Sequence, residues 1–263
     1  MSVALGGVIT LAAYTDVVLV AVAILLAQFM IAAAPAPSDE RGRHVNCPRF
    51  GPAIAAAIVA TVVTLFPGIL VGVDGTRSGS VGFVSSGLMT GIAPGMAVGL
   101  FAALLGQALR KDGRKALVIS VSYSATLCMF AVLPVGWIGA SQSLGGAPLV
   151  ALGAIAVGTA LLVWLIPGDR AIIGSVAVLA AAGATSTVAL YIPGPSNMGL
   201  LFGAVVGLGV GMFAILGQVL GRAWSEGRGH SSSGWGFAGA MSLALSAPIV
   251  FMGSQFLGST LTL

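Results

Sequence analysis

From Ala12 onward the chain is a succession of apolar runs parted by short polar loops. Each run is close to the ~20 residues that an α-helix needs to cross the hydrocarbon of a membrane. Eight qualify: Ala12 to Ala34, Pro52 to Val73, Leu88 to Leu109, Ala116 to Ile138, Pro148 to Ile166, Ala171 to Ile192, Met198 to Leu220 and Phe237 to Leu257. The stretch before the first, from Met1, is also apolar and reads as a segment lying at the interface. A water-soluble shell cannot enclose this material. Only 7% of residues are charged, against about 25% in a soluble domain, and mean hydropathy is +1.07. The expected fold class is an all-α integral membrane protein with eight transmembrane helices.

Lysine and arginine orient such a bundle, because basic loops stay on the cytoplasmic side. With the N-terminus outside, the inner loops hold Arg41, Arg43 and Arg49; Arg110, Lys111, Arg114 and Lys115; Arg170; and Arg222 with Arg228. That is ten of the eleven basic residues, and only Arg77 falls outside. A wrong span count would scramble this alternation, so the charges favour eight spans with both termini outside. They also exclude nucleic acid as a partner. The net charge of +4 and pI near 9.6 arise in short loops, not on one basic face. No basic residue precedes Arg41, so the N-terminal run lacks the start of a cleavable signal and reads as a retained span. Lysine supplies only Lys111 and Lys115, while alanine, glycine and valine abound. That bias fits a high-GC bacterial genome, and the expected location is the bacterial cytoplasmic (inner) membrane.

Glycine recurs at every fourth position in two places. Gly87, Gly91, Gly95 and Gly99 accompany the third run, and Gly199, Gly203, Gly207 and Gly211 the seventh, each 112 residues after its counterpart. Phe101 and Phe213 keep that offset; Leu105-Gly106-Gln107 and Leu216-Gly217-Gln218 follow at 111. Pro67-Gly68 closes the second run and Pro193-Gly194 the sixth, while Pro134 and Pro248 fall in the fourth and eighth. These matches read as an internal duplication, with residues 1–145 and 146–263 as two four-helix repeats. An even number of spans in each half makes the repeat parallel.

Positions four apart share a helix face, so each glycine row is a groove without side chains. Small residues let helices approach closely in lipid. The rows therefore point to a packing core, with the third and seventh helices facing each other across the pseudo-twofold axis. An alternative is that the grooves line a path. Pro94 removes a backbone hydrogen bond from the third helix, and a kink is expected there.

Candidate substrate contacts are few. Asp16 is the only acid within a run. It lies at the outer surface if the helix starts near Thr15, and in lipid, where an ionisable group is costly, if the helix starts near Val8; the first placement is favoured. Gln107 and Gln218 are equivalent, near the inner ends of the glycine helices, with Gln28 at similar depth. Gln142 and Gln255 are equivalent at the outer ends of the fourth and eighth helices. Such amides either hydrogen-bond between helices or coordinate a polar substrate from both sides of the axis.

Other chemistry finds no residues. Cys47 and Cys128 fit neither a disulfide framework nor a metal-ligand spacing. The runs contain no Ser/His/Asp set and no paired carboxylates, and His44 and His230 fall in inner loops. No glycine-rich run has the Lys-Ser/Thr ending that cradles phosphates. No cofactor, no metal and no enzymatic activity are expected. The expected function is a small permease-like protein moving a small or lipidic substrate between its two repeats. The alternative is a non-catalytic subunit of a larger membrane complex. Expected partners are membrane lipids, a second copy or partner membrane subunits, and a cytoplasmic partner at the basic inner loops.

Overall fold

The computed structural model describes residues 2–36, 45–66, 87–111, 116–143, 146–191, 199–226 and 234–261. Among these, every regular element is an α-helix. In order they are α1 (Ser2–Ala13), α2 (Val17–Ala32), α3 (Phe50–Leu65), α4 (Gly87–Ala108), α5 (Leu117–Val132), α6 (Val135–Ser141), α7 (Gly146–Trp164), α8 (Arg170–Ala189), α9 (Leu200–Glu226) and α10 (Gly234–Leu261). In hydrocarbon each backbone N–H and C=O must find its partner within its own segment, which is why apolar runs of this length become helices. Six stretches are long and apolar enough to cross a membrane: those of α4, of α5 with α6, and of α7, α8, α9 and α10. Large apolar side chains stand outward on these helices, among them Phe101, Val118, Leu162, Leu179, Val205 and Met252. In water such a surface would be an adhesive patch; in lipid it is the solvent-facing side. The chain has the architecture of a helical multi-pass membrane protein.

The first two expected spans are shorter than the hydropathy pattern implied. α2 and α3 have 16 residues each, about 24 Å of helix against ~30 Å of hydrocarbon. Local chemistry sets both limits. Asp16 has extended backbone, and its carboxylate accepts from the Val18 N–H at 2.9 Å, so it caps α2. Phe66 precedes Pro67, whose ring disfavours helical angles in the residue before it. Phe66 accordingly leaves the helix, at φ −125° and ψ 69°. The apolar stretch from Met1 packs against the rest of the bundle. It forms α1, whose Ile9 is fully buried and whose Gly6 lies against Ala154 of α7.

The expected fourth span is broken into α5 and α6 at Leu133 and Pro134. Around the proline the hydrogen bonds tighten to i→i+3: Gly136 N–H donates to the Leu133 carbonyl, and Trp137 N–H to that of Pro134, both at 3.1 Å. Pro94 and Pro248, by contrast, lie within continuous helices.

The glycine helices do not face each other, which corrects the expectation of a central α4–α9 pair. α4 packs mainly on α3, and α9 on α10 and α8. A methyl placed on Gly91 would lie 2.0 Å from Thr64 Oγ1 and 2.5 Å from the Ala60 carbonyl oxygen. One on Gly95 would meet Ala60 Cβ at 2.7 Å, and one on Gly99 would meet Ala56 Cβ at 2.7 Å. On α9, methyls at Gly203, Gly207 and Gly211 would meet Thr185 O at 2.7 Å, Thr185 Oγ1 at 2.0 Å and Ala181 Cβ at 2.9 Å. Each row is thus filled by the helix that precedes it in the chain. Gly199 lies outside α9, exposed. A second face of α9 carries Gly217 and Gly221, whose added methyls would collide with Ser242 and Ala238 of α10.

The side chain of Gly87's position, the loop with Asp74 and Arg77, Arg41, Arg43, Arg114, Lys115 and Arg228, and both histidines lie outside what is described.

Candidate functional site

The two sequence halves meet along α1, α2 and α6 on one side and α7 and α10 on the other. Trp137 is the largest side chain in this seam with no solvent exposure. It reaches across because α6 approaches α10 without an intervening side chain: a methyl on Gly136 would lie 2.8 Å from the Ala247 carbonyl oxygen. Its indole Nε1 donates to the Leu243 carbonyl at 2.9 Å. Gly153 of α7 leaves room for its ring. A buried indole needs a partner for its one N–H, and this one has it.

Gln28 on α2 is different. Its exposure is 0%. Thr61 Oγ1, on α3, donates to Gln28 Oε1 at 3.0 Å, which occupies the amide oxygen. The amide nitrogen Nε2 is buried and has no hydrogen-bond partner. Leaving a buried donor unsatisfied costs about 1–3 kcal/mol. The geometry therefore presents an amide N–H pair inside the bundle, neutral and able to donate, beside a threonine hydroxyl. It can bind a carbonyl, a hydroxyl or a water. It cannot carry a proton, because neither group titrates near neutral pH.

The other sequence candidates are placed elsewhere. Gln107 is buried; its Nε2 donates to Ser120 Oγ on α5, and its Oε1 accepts from Arg110 at 2.9 Å. Gln218 is half-buried and accepts from Ser242 Oγ on α10 at 3.4 Å. Both therefore tie a glycine helix to the helix that follows it. Gln142 is exposed at the end of α6, and Gln255 is half-buried on α10. Asp16 is exposed as the cap of α2. Gln28 is thus the one candidate with a buried polar atom left over.

Sequence reading passed over Thr61, its partner, although Thr61 and Thr64 are two hydroxyls three apart in an alanine–valine run. It also passed over an aromatic cluster at one end of the bundle. There Trp224 of α9 packs 5.4 Å from Tyr123 and 6.1 Å from Phe130, ring centre to ring centre, joining the C-terminal half to α5. Tyr123 donates its hydroxyl to the Pro35 carbonyl. Among the described residues, no three His, Cys, Asp or Glu side chains come together in a metal-binding group. No protein-family model, no curated protein and no solved structure matches the chain.

Proposed function

We propose that the chain is a small permease-like membrane protein, moving a small or lipidic substrate along a path between two parallel four-helix repeats. The observation that carries this is the unsatisfied Gln28 amide beside Thr61, buried within the bundle. A polar group retained in an apolar interior at an energetic cost is a group with something to bind. Among the described residues no carboxylate joins Gln28 and Thr61, which favours an uncharged route over proton or sodium coupling.

The repeat draws support from matched contacts. In each half a glycine row packs on a threonine and an alanine four residues apart, Thr64 with Ala60 and Thr185 with Ala181. In each half the glycine helix then ties by a glutamine to a serine on the next, Gln107 to Ser120 and Gln218 to Ser242. Eight spans would need α2 and α3, at 16 residues each, to cross where the membrane is locally thinned, α1 bracing α2 from outside the count. The basic loops support a placement with both termini on the outer side of a bacterial inner membrane.

Reconstitution in liposomes tests the reading. Swelling in glycerol or urea reports small solutes, and dithionite bleaching of a fluorescent phosphatidylethanolamine reports lipid movement. Gln28→Leu should cut the active flux by about tenfold or more while the melting temperature shifts little, because relief of the unpaired amide nitrogen offsets the loss of Thr61's acceptor. A wild-type protein that passes none of these probes would reject the permease.

A second reading, a non-catalytic subunit of a membrane complex, is favoured by one observation. The amide of Gln107 is consumed, its Nε2 by Ser120 on α5 and its Oε1 by Arg110 just past its own helix, rather than left for a substrate. Purification in mild detergent with a partner in fixed ratio would establish it.

A further inference from the structure

The α8–α9 pair opens toward one end into a groove of about 670 Å³, within the ~300–1,000 Å³ typical of ligand sites. The sequence explains the opening. Gly203, Gly207 and Gly211 let α9 lie directly on α8, pairing successively with Ala189, Thr185 and Ala181, so the helices run antiparallel. One turn beyond Gly211 the row ends at Ile215, and then Val219. These branched side chains stand where the glycines stood, with Ile215 opposite Gly174 of α8. The bared strip is apolar: Gly174, Val178 and Leu179 from α8, Met212, Ile215 and Val219 from α9.

The groove's open end is cationic. Arg170, the first residue of α8, lines it. Its guanidinium lies 5.1 Å over the Trp164 ring and donates to the Trp164 carbonyl at 3.1 Å. A guanidinium has five N–H donors, so one such bond leaves others available. Arg222 follows Val219 by three residues, on the same face of α9. Among the described residues, neither arginine has a carboxylate partner. Asp169 is committed to capping α8, accepting from Ala171 N–H at 2.8 Å.

We propose that this groove is a binding site for an anionic phospholipid of the surrounding membrane. One acyl chain lies along the strip between α8 and α9, and the headgroup phosphate meets Arg170 and Arg222. The chain fits because the strip is apolar along most of its length, Ser175 on its wall excepted. The phosphate fits because Arg170 stands over the Trp164 ring at the groove's end and Arg222 follows on the same face of α9, neither with a carboxylate partner among the described residues. Guanidinium also matches phosphate with paired N–H bonds. The site is on helices that make no extensive contact with α2 or α3, so it stands or falls separately from permeation past Gln28.

The test uses the whole protein in nanodiscs of phosphatidylcholine, titrated with acyl-brominated phosphatidylglycerol or acyl-brominated phosphatidylcholine. Bromine quenches tryptophan emission at short range, and Trp164→Phe defines the share of the signal due to Trp164. Phosphatidylglycerol should half-quench that share at about fivefold lower mole fraction per arginine engaged. Arg170→Gln with Arg222→Gln should abolish the preference. Ser175→Phe, an exposed change on the groove wall, should reduce quenching by either lipid without altering the melting temperature. Equal quenching by the two lipids, or a preference that survives loss of both arginines, overturns the proposal. So does quenching by neither lipid, which would mean that a protein surface covers the groove.

Discussion

The pairs α3–α4 and α8–α9 are built from the same parts and assembled one turn apart. In both, a glycine row faces a threonine that lies four residues after an alanine. By sequence, Gly91 corresponds to Gly203, 112 residues later. By contact it corresponds to Gly207. A methyl at Gly91 would lie 2.0 Å from Thr64 Oγ1, and one at Gly207 would lie 2.0 Å from Thr185 Oγ1. The difference lies in the partner helix. α3 stops one residue after Thr64, ahead of Pro67, whereas α8 runs on from Thr185 to Ala189. The extra turn of α8 gives Gly203 a surface to lie on and leaves Gly199 outside. A row of small residues resembles a rail: it fixes which faces meet but not how far along they slide. The stop is set by where the neighbouring helix ends.

The largest effects should come from the glycines at the tightest points. Gly91→Leu and Gly207→Leu should each prevent folding or assembly, since no flexible neighbour can yield. The alanine versions should cost about 2–4 kcal/mol, as overpacking at backbone distance does. Detergent melting curves check this. A normal melt for either leucine variant would end the comparison, and loss in only one pair would show that the two contacts differ in kind.

Next come the glutamine ties. Gln107 is buried with two partners, Gln218 half-buried with one at 3.4 Å. Gln107→Leu should cost about 1–2 kcal/mol and Gln218→Leu about half a kcal/mol or less, in line with interhelical bonds in lipid. A reversed order in the same melting assay would contradict the difference in hydrogen bonding between the two glutamines.

The smallest effect sharpens the comparison as a control. Gly183 lies on α8 with nothing within 4 Å of an added methyl. Gly183→Ala should leave the melt unchanged or raise stability by up to ~1 kcal/mol, because alanine restricts the unfolded chain and favours helix. A loss like that at Gly207 would show that close contact does not account for the cost at Gly207. Topology can be examined beside it. A cysteine at Ser80 should label from outside, and one at Ser231 only after permeabilisation; the opposite pattern would invert the bundle.

Much was legible in advance because lipid enforces it. Eight apolar runs, few charges and basic connecting loops specify helices whatever their packing, since an unpaired backbone group in hydrocarbon is too costly. The runs from Leu88, Pro148, Ala171, Met198 and Phe237 became α4, α7, α8, α9 and α10 with small shifts at their ends. Spacing of four placed each glycine row on one helix face, and the structure uses those faces for contact. Asp16 as a helix start could be read from its neighbours alone.

Tertiary structure decided the rest. Hydropathy cannot tell that the apolar stretch from Met1 docks on α7, or that α2 and α3 are short, because apolar residues look alike whether they face lipid or protein. Periodicity cannot choose the partner of a glycine row; proximity in the chain gave α3 and α8 that place instead of the opposite glycine helix. Of five glutamines equally plausible in sequence, packing satisfied Gln107, placed Gln142 in the open, and left the buried nitrogen of Gln28 without a partner. Which polar group stays unpaired depends on what crosses it from another helix, and that is fixed only when the helices meet.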